Sequence, residues 1–130
     1  MKAYITCPIT HTKERLNLLP EIERVTQSKR IDTFIFQIGG KPAEIFKRDY
    51  EQLKACNILI AEVSERSHGV GIEIGISFCL GHEIILLHQK GNYITSLAQG
   101  IPKAQIIEYE KLGDLKEKLS FALDKYGAQN

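Results

Sequence analysis

Residues 57–63, Asn-Ile-Leu-Ile-Ala-Glu-Val, are a nearly continuous apolar run, and they constrain the fold more than any other stretch of this chain. A strand that is apolar on both faces has to be covered on both faces, which is the environment of a parallel sheet flanked by helices. The run should be the central strand. Short β-branched segments at residues 2–7, 31–37, 83–88 and 104–109 supply four more strands. Between them lie stretches of helical period: 12–27 with its Leu16, Leu18, Leu19, Ile22 and Val25 stripe, 43–55, 70–81, a short piece near 93–99, and 111–126. Pro20 is expected to break or kink the first of these. Strands alternating with helices imply a doubly wound α/β fold of the Rossmann-like or flavodoxin-like kind: five parallel strands in the order 2-1-3-4-5, right-handed crossovers, helices on both faces. No linker, repeat or low-complexity segment interrupts it. The 130 residues are expected to form one domain.

Composition narrows the partners. A formal net charge of +1 and no basic run leave no electrostatic footprint for a nucleic-acid polymer. No apolar stretch approaches membrane-spanning length, and none reads as a signal peptide. Three cysteines, Cys7, Cys56 and Cys79, sit in or beside apolar runs and read as free thiols, so the cytoplasm is the expected location. The four histidines share no zinc-ligand spacing, no Ser-His-Asp or Cys-His arrangement stands out, and a Gly-x-Gly-x-x-Gly after strand one is lacking. Neither metal nor organic cofactor is expected.

In a 2-1-3-4-5 sheet, ligands bind beyond the carboxyl ends of strands one and three, where the order reverses. The loops concerned are 7–15, CPITHTKER, and 62–71, EVSERSHGVG. Both are rich in hydroxyls and small residues. Ser64, Ser67 and the amides of Gly69 and Gly71 would lie near a helix N-terminus suited to an anion, with Glu73 in that helix's first turn. Taken singly, each feature has a bland explanation. Gly-x-Gly before a helix is common packing, Asp49 would be a solvated helix residue, Tyr4 would be core, and Phe36 at the end of strand two packs as readily as it stacks on a ligand.

It is the combination that is distinctive. Residues 61–75, AEVSERSHGVGIEIG, resemble the signature of the nucleoside 2-deoxyribosyltransferase superfamily, most closely that of the 2'-deoxynucleoside 5'-phosphate N-hydrolases. The matching residues are Ala61, Glu62, Val63, Ser67, Gly69, Val70, Gly71, Glu73, Ile74 and Gly75. Asp49, 24 residues upstream of Glu73, falls where the family has its second acid, and Tyr4 falls in the family's aromatic first strand. The resemblance runs from strand one to about Gly100.

That resemblance implies an N-glycosidic chemistry. Glu73 would be the nucleophile at the sugar C1', Asp49 the acid that protonates or orients the departing base, and Tyr4 the residue that orients Glu73. Two carboxylates at one site would push their pKa values apart. Ser67 stands where nucleotide hydrolases use a serine against the 5'-phosphate and where nucleoside transferases carry an aspartate. At the first-loop positions where the hydrolases bind phosphate with Ser and Arg, this chain has Pro8 and Thr10. Thr6, Thr10, His11, Thr12 and Lys13 offer other donors there. Phe36 and Gln37 are placed to stack on and hydrogen-bond a base. Ser96 falls where the hydrolases offer a phosphate hydroxyl from a neighbouring subunit, which implies a homodimer. The expected activity is hydrolysis of a small (deoxy)nucleoside 5'-monophosphate. Base exchange between free nucleosides, and a non-catalytic nucleotide-sensing module, are the alternatives.

Overall fold

The computed structural model describes residues 1–127. Five strands, β1 (Lys2–Thr6), β2 (Asp32–Ile35), β3 (Ile58–Glu62), β4 (Glu83–Gln89) and β5 (Gln105–Tyr109), make one sheet in the order β2-β1-β3-β4-β5. Every pairing is parallel, with Ala3 opposite both Thr33 and Ile58 on the two sides of β1. The fold is the doubly wound one expected from the alternation of patterns.

The covering of the central strand follows its side-chain period of two. On β3, Ile58 and Ile60 enter a core with Leu19, Ile22 and Val25 of α1 (Leu19–Ser28) and Leu115, Leu119 and Leu123 of α5 (Leu112–Gly127). Leu59 and Ala61 point the other way, onto Leu53 of α2 (Pro42–Ala55), Val70 and Ile74 of α3 (His68–Cys79), and Ala98 of α4 (Ser96–Gln99). Tyr4 on β1 lies on the α2–α3 side while its neighbours Ala3 and Ile5 face α1. That alternation brings the Tyr4 side chain to α3.

Two of the boundaries that differ from expectation have a clear local reason. The segment expected to be a single helix over 12–27 is a 3-10 turn at Glu14–Leu18 followed by α1, and Pro20 starts α1 instead of breaking it. Proline is tolerated in a first turn because the amide it lacks would have no intrahelical partner there. Helix α3 starts at His68, not residue 70, because the Ser67 hydroxyl accepts from the Val70 amide at 3.2 Å and caps it. Glu73 therefore stands in the second turn, where the helix-dipole effect expected for a first-turn acid has largely decayed.

Candidate active site

A cavity of about 560 Å³ opens at the carboxyl edge of the sheet, between α2 and α3, where the strand order reverses around β1. Glu73 and Asp49 face it from opposite helices. Thr6, Cys7 and Thr10 contribute from the end of β1 and its loop, Phe36, Gln37 and Ile38 from the loop after β2, and Ser67 and Gly69 from the start of α3. Most of its remaining wall is apolar, including Phe46, Tyr50, Ile72 and Ile76. No lysine or arginine is among the described residues that line it.

Glu73 is 8% exposed, and both its oxygens are held from β1. The Tyr4 hydroxyl donates to Oε2, and the Thr6 hydroxyl donates to Oε1 at 3.0 Å. Tyr4 and Thr6 are two apart, so the pleat turns both to the same side of the sheet. Burial pushes the Glu73 carboxyl up to about 7, and the nearby Asp49 charge adds to this, while the Tyr4 and Thr6 hydrogen bonds hold it down. Those two hydrogen bonds favour the anion in a place that otherwise disfavours it. Burial first, then the Glu73 charge, raises the Tyr4 hydroxyl far above a tyrosine's usual range, so it stays a donor. Tyr4 is itself fully buried beneath Glu73, with its ring 5.4 Å from that of Phe34. Asp49 is only slightly exposed, and Arg48 Nε approaches its Oδ1 at 3.4 Å.

Thr6, Thr10, Phe36, Gln37, Asp49, Ser67, Gly69 and Glu73 share the cavity, whereas Pro8, Gly71 and Ser96 do not line it. Pro8 is buried and is not among the cavity-lining residues. The Gly71 amide already bonds the Ser67 carbonyl at 3.1 Å inside α3, so it is not free for an anion, and Gly71 instead faces a smaller cavity beside Tyr93 and Thr95. Ser96 is exposed at the start of α4, 3.5 Å from the Tyr93 hydroxyl. Ser64, expected near the anion position, is buried, its hydroxyl donating to Glu62 at 2.7 Å and accepting from the Gln89 amide at 2.8 Å. Of the substitute donors in the first loop, Thr6 is committed to Glu73, and the Thr12 hydroxyl accepts from the Glu14 amide. Thr10 is the one beside Thr6 that lines the cavity. Phe36 packs against both cores as well as lining the cavity, so its packing role is real.

Sequence reasoning missed Arg48. From α2 it donates to the carbonyls of Gln37 at 2.6 Å and Gly39 at 3.2 Å, fixing the loop that forms one wall. Gly39 and Gly40, at φ +99° and +112°, let that loop turn back to meet it. The signal was present as Gly-Gly followed by a helix carrying an arginine, but nothing in the spacing says which backbone an arginine will reach. Among the described residues no cluster of three or more His, Cys, Asp or Glu is arranged to hold a metal, and no helix is long and apolar enough to cross a membrane.

No family model matches the chain. Among curated proteins it is 29% identical over 136 residues to a protein of Thermofilum pendens named "Putative 2'-deoxynucleoside 5'-phosphate N-hydrolase 1", with 95% of each chain covered. A protein of the same name from Syntrophotalea carbinolica is 33% identical over 84 residues, covering 62% of this chain and 59% of that one. Among solved structures, a CMP N-glycosidase from Clostridium botulinum superposes with a TM-score of 0.77 at 22% identity, covering 95% of this chain and all of the other. A 2-deoxyribosyltransferase from Bacillus psychrosaccharolyticus gives 0.65 at 19%, covering 92% and 96%. A flavodoxin-like domain from Synechococcus gives 0.64 at 12%, covering 98% and 99%. At such identities these three attest the fold.

Proposed function

We propose that this chain, a member of the nucleoside 2-deoxyribosyltransferase superfamily, hydrolyses the base–sugar bond of a small (deoxy)nucleoside 5'-monophosphate, with Glu73 as nucleophile. The observation that carries the reading is the buried Glu73 carboxylate, held by Tyr4 and Thr6 in a cavity shared with Asp49. In the reaction, Glu73 attacks C1', the C1'–N bond breaks with its electron pair passing to the base, and Asp49 gives the base its proton. Water then attacks C1' of the glycosyl ester, giving its proton back to Asp49, and Glu73 leaves as the carboxylate. The Tyr4 and Thr6 hydroxyls keep both Glu73 oxygens aimed as one of them forms the ester bond to C1'. Ser67 and the first-turn amides beside Gly69 suit the 5'-phosphate: the Ser67 oxygen accepts from Val70, which leaves its O–H free to donate. The apolar walls from Phe36, Phe46 and Ile72 suit the face of a base.

The names of the relatives point the same way: an N-hydrolase of 2'-deoxynucleoside 5'-phosphates, an N-glycosidase of CMP and a deoxyribosyltransferase. One observation favours base exchange between uncharged nucleosides instead, namely the lack of any lysine or arginine among the described lining residues. Incubating the protein with a panel of deoxyribonucleoside and ribonucleoside monophosphates should release free base. A second base added to a nucleoside would give a swapped product only under the exchange reading. Stabilisation by nucleotides with neither product would make the protein a binding module.

A homodimer belongs to the proposal. Helix α3 is apolar nearly all round, and its Phe78 side chain, outside the cavity, is about half exposed. A helix of that composition is normally covered on both sides. Cys7 and Cys56 are buried free thiols and Cys79 an exposed one, which suits the cytoplasm.

A further inference from the structure

A second buried polar cluster lies at the same edge of the sheet, outside the cavity. Arg15, in the 3-10 turn that ends the first loop, makes a bidentate pair with Glu65: Nε to Oε2 at 3.0 Å and Nη2 to Oε1 at 2.9 Å. Its Nη1 donates to Gln89 Oε1 at 2.7 Å and to the Tyr109 hydroxyl at 3.4 Å. The wholly buried Glu62, 3.9 Å from Nη1, accepts from the Ser64 amide at 2.6 Å, from the Ser64 hydroxyl and from the Tyr109 hydroxyl. The Glu65 hydrogen bonds raise the guanidinium's hold on its proton and lower the Glu65 carboxyl in turn, so the pair is fully charged. None of these side chains lines the cavity.

A buried ion pair is weak evidence for stability, because desolvation offsets much of the attraction. What this pair does is geometric. Arg15 terminates the loop that carries Thr10, and Glu65 sits two residues before Ser67, so the fork joins the two loops that bring Thr10 and Ser67 to the cavity. The first loop has no strand or helix of its own over residues 7–13. We infer that Arg15 and Glu65 are positioning residues that fix the separation of Thr10 and Ser67 and so set the affinity for the substrate's 5'-phosphate. The inference rests on the proposed function of the same cavity. A planar fork suits the task, since it fixes direction as well as distance. Arg15 is committed to holding the two loops together.

The test compares 2'-deoxycytidine 5'-monophosphate with 2'-deoxycytidine, measured by calorimetry for binding and by base release for KM and kcat, in the wild type, Glu65→Gln, Arg15→Gln and the double variant. Glu65→Gln, at a partly exposed site, guards against loss of folding. Expected is a roughly tenfold weaker binding and higher KM for the monophosphate, with the nucleoside affinity and kcat each within about twofold, the pH midpoint of kcat unmoved, and a double variant no worse than the worse single one. Equal losses for nucleotide and nucleoside, or a lowered Tm with unchanged affinities, would overturn the inference. Binding without base release by the wild type sinks the proposed reaction while the affinity ratios still decide the positioning role. A wild type that binds neither probe overturns both.

Discussion

The Tyr4 hydroxyl on β1 donates to Oε2 of Glu73 on α3, joining two side chains 69 positions apart and fixing the carboxylate against the sheet. Thr6 holds the other oxygen, so the rotamer of Glu73 is determined from one strand. The orientation is supplied by regular structure, which is more exact than a loop would allow.

The first prediction is a pH dependence. On the proposed mechanism Glu73 acts as the anion, and its carboxyl is pushed up to about 7, so the limb of kcat/KM that Glu73 sets should rise with pH through about 7. Tyr4→Phe removes a donor that favours the anion, so the midpoint should move up by roughly one unit, with the largest rate loss below pH 7. A pH–rate profile of both proteins checks this.

Stability should show the same carboxyl from the other side. The native Glu73 binds its proton more tightly than the unfolded chain does, so its contribution is fully present below about pH 4.5 and lost as pH rises through about 7. By the linkage relation the loss is roughly 3 kcal/mol, an upper figure. Glu73→Gln escapes it, so its Tm relative to wild type should be higher at pH 8 than at pH 5. Thermal melts at the two values are sufficient.

Asp49→Asn should separate charge from proton delivery. Removing the Asp49 charge lowers the Glu73 carboxyl, so the acid limb of the profile moves to lower pH. If Asp49 is the acid that serves the departing base, as proposed, its loss should cut kcat by about 10²-fold. A substrate with a more acidic leaving base should recover much of that loss.

Much of this arrangement was legible in the sequence because it rests on period. The apolar run over 57–63 set a two-faced central strand, and the alternation around it set a parallel sheet with helices on both faces. The pleat of residues 2–7 then decides that Tyr4 and Thr6 face α3 together. What period does not encode is where a cap falls or which partner a long side chain chooses. Ser67 starts α3 two residues earlier than its apolar pattern suggests, which moved Glu73 out of the first turn and gave the Gly71 amide a partner within the helix. Pro8 is buried away from the cavity, and Ser96 lies on the surface of α4. The reaches of Arg15 to Glu65 and of Arg48 to the Gln37 carbonyl depend on rotamers over several bonds, and sequence spacing carries no record of them.

Assembly provides the fourth prediction. If a second copy covers the outer face of α3, light scattering should give about twice the mass of the chain, 14.7 kDa. Phe78→Asp, outside the cavity, should return the protein to a monomer by placing a charge in a desolvated contact.

The central claim is that Glu73 breaks a base–sugar bond, and the most direct measurement is free base released from a panel of nucleoside 5'-monophosphates by wild type and by Glu73→Gln. The account expects steady release from at least one monophosphate by the wild type, and at least a 10³-fold slower release by a Glu73→Gln protein that still folds and binds the same nucleotide. Release by Glu73→Gln at the wild-type rate, or no release by the wild type from any member of the panel, would contradict it.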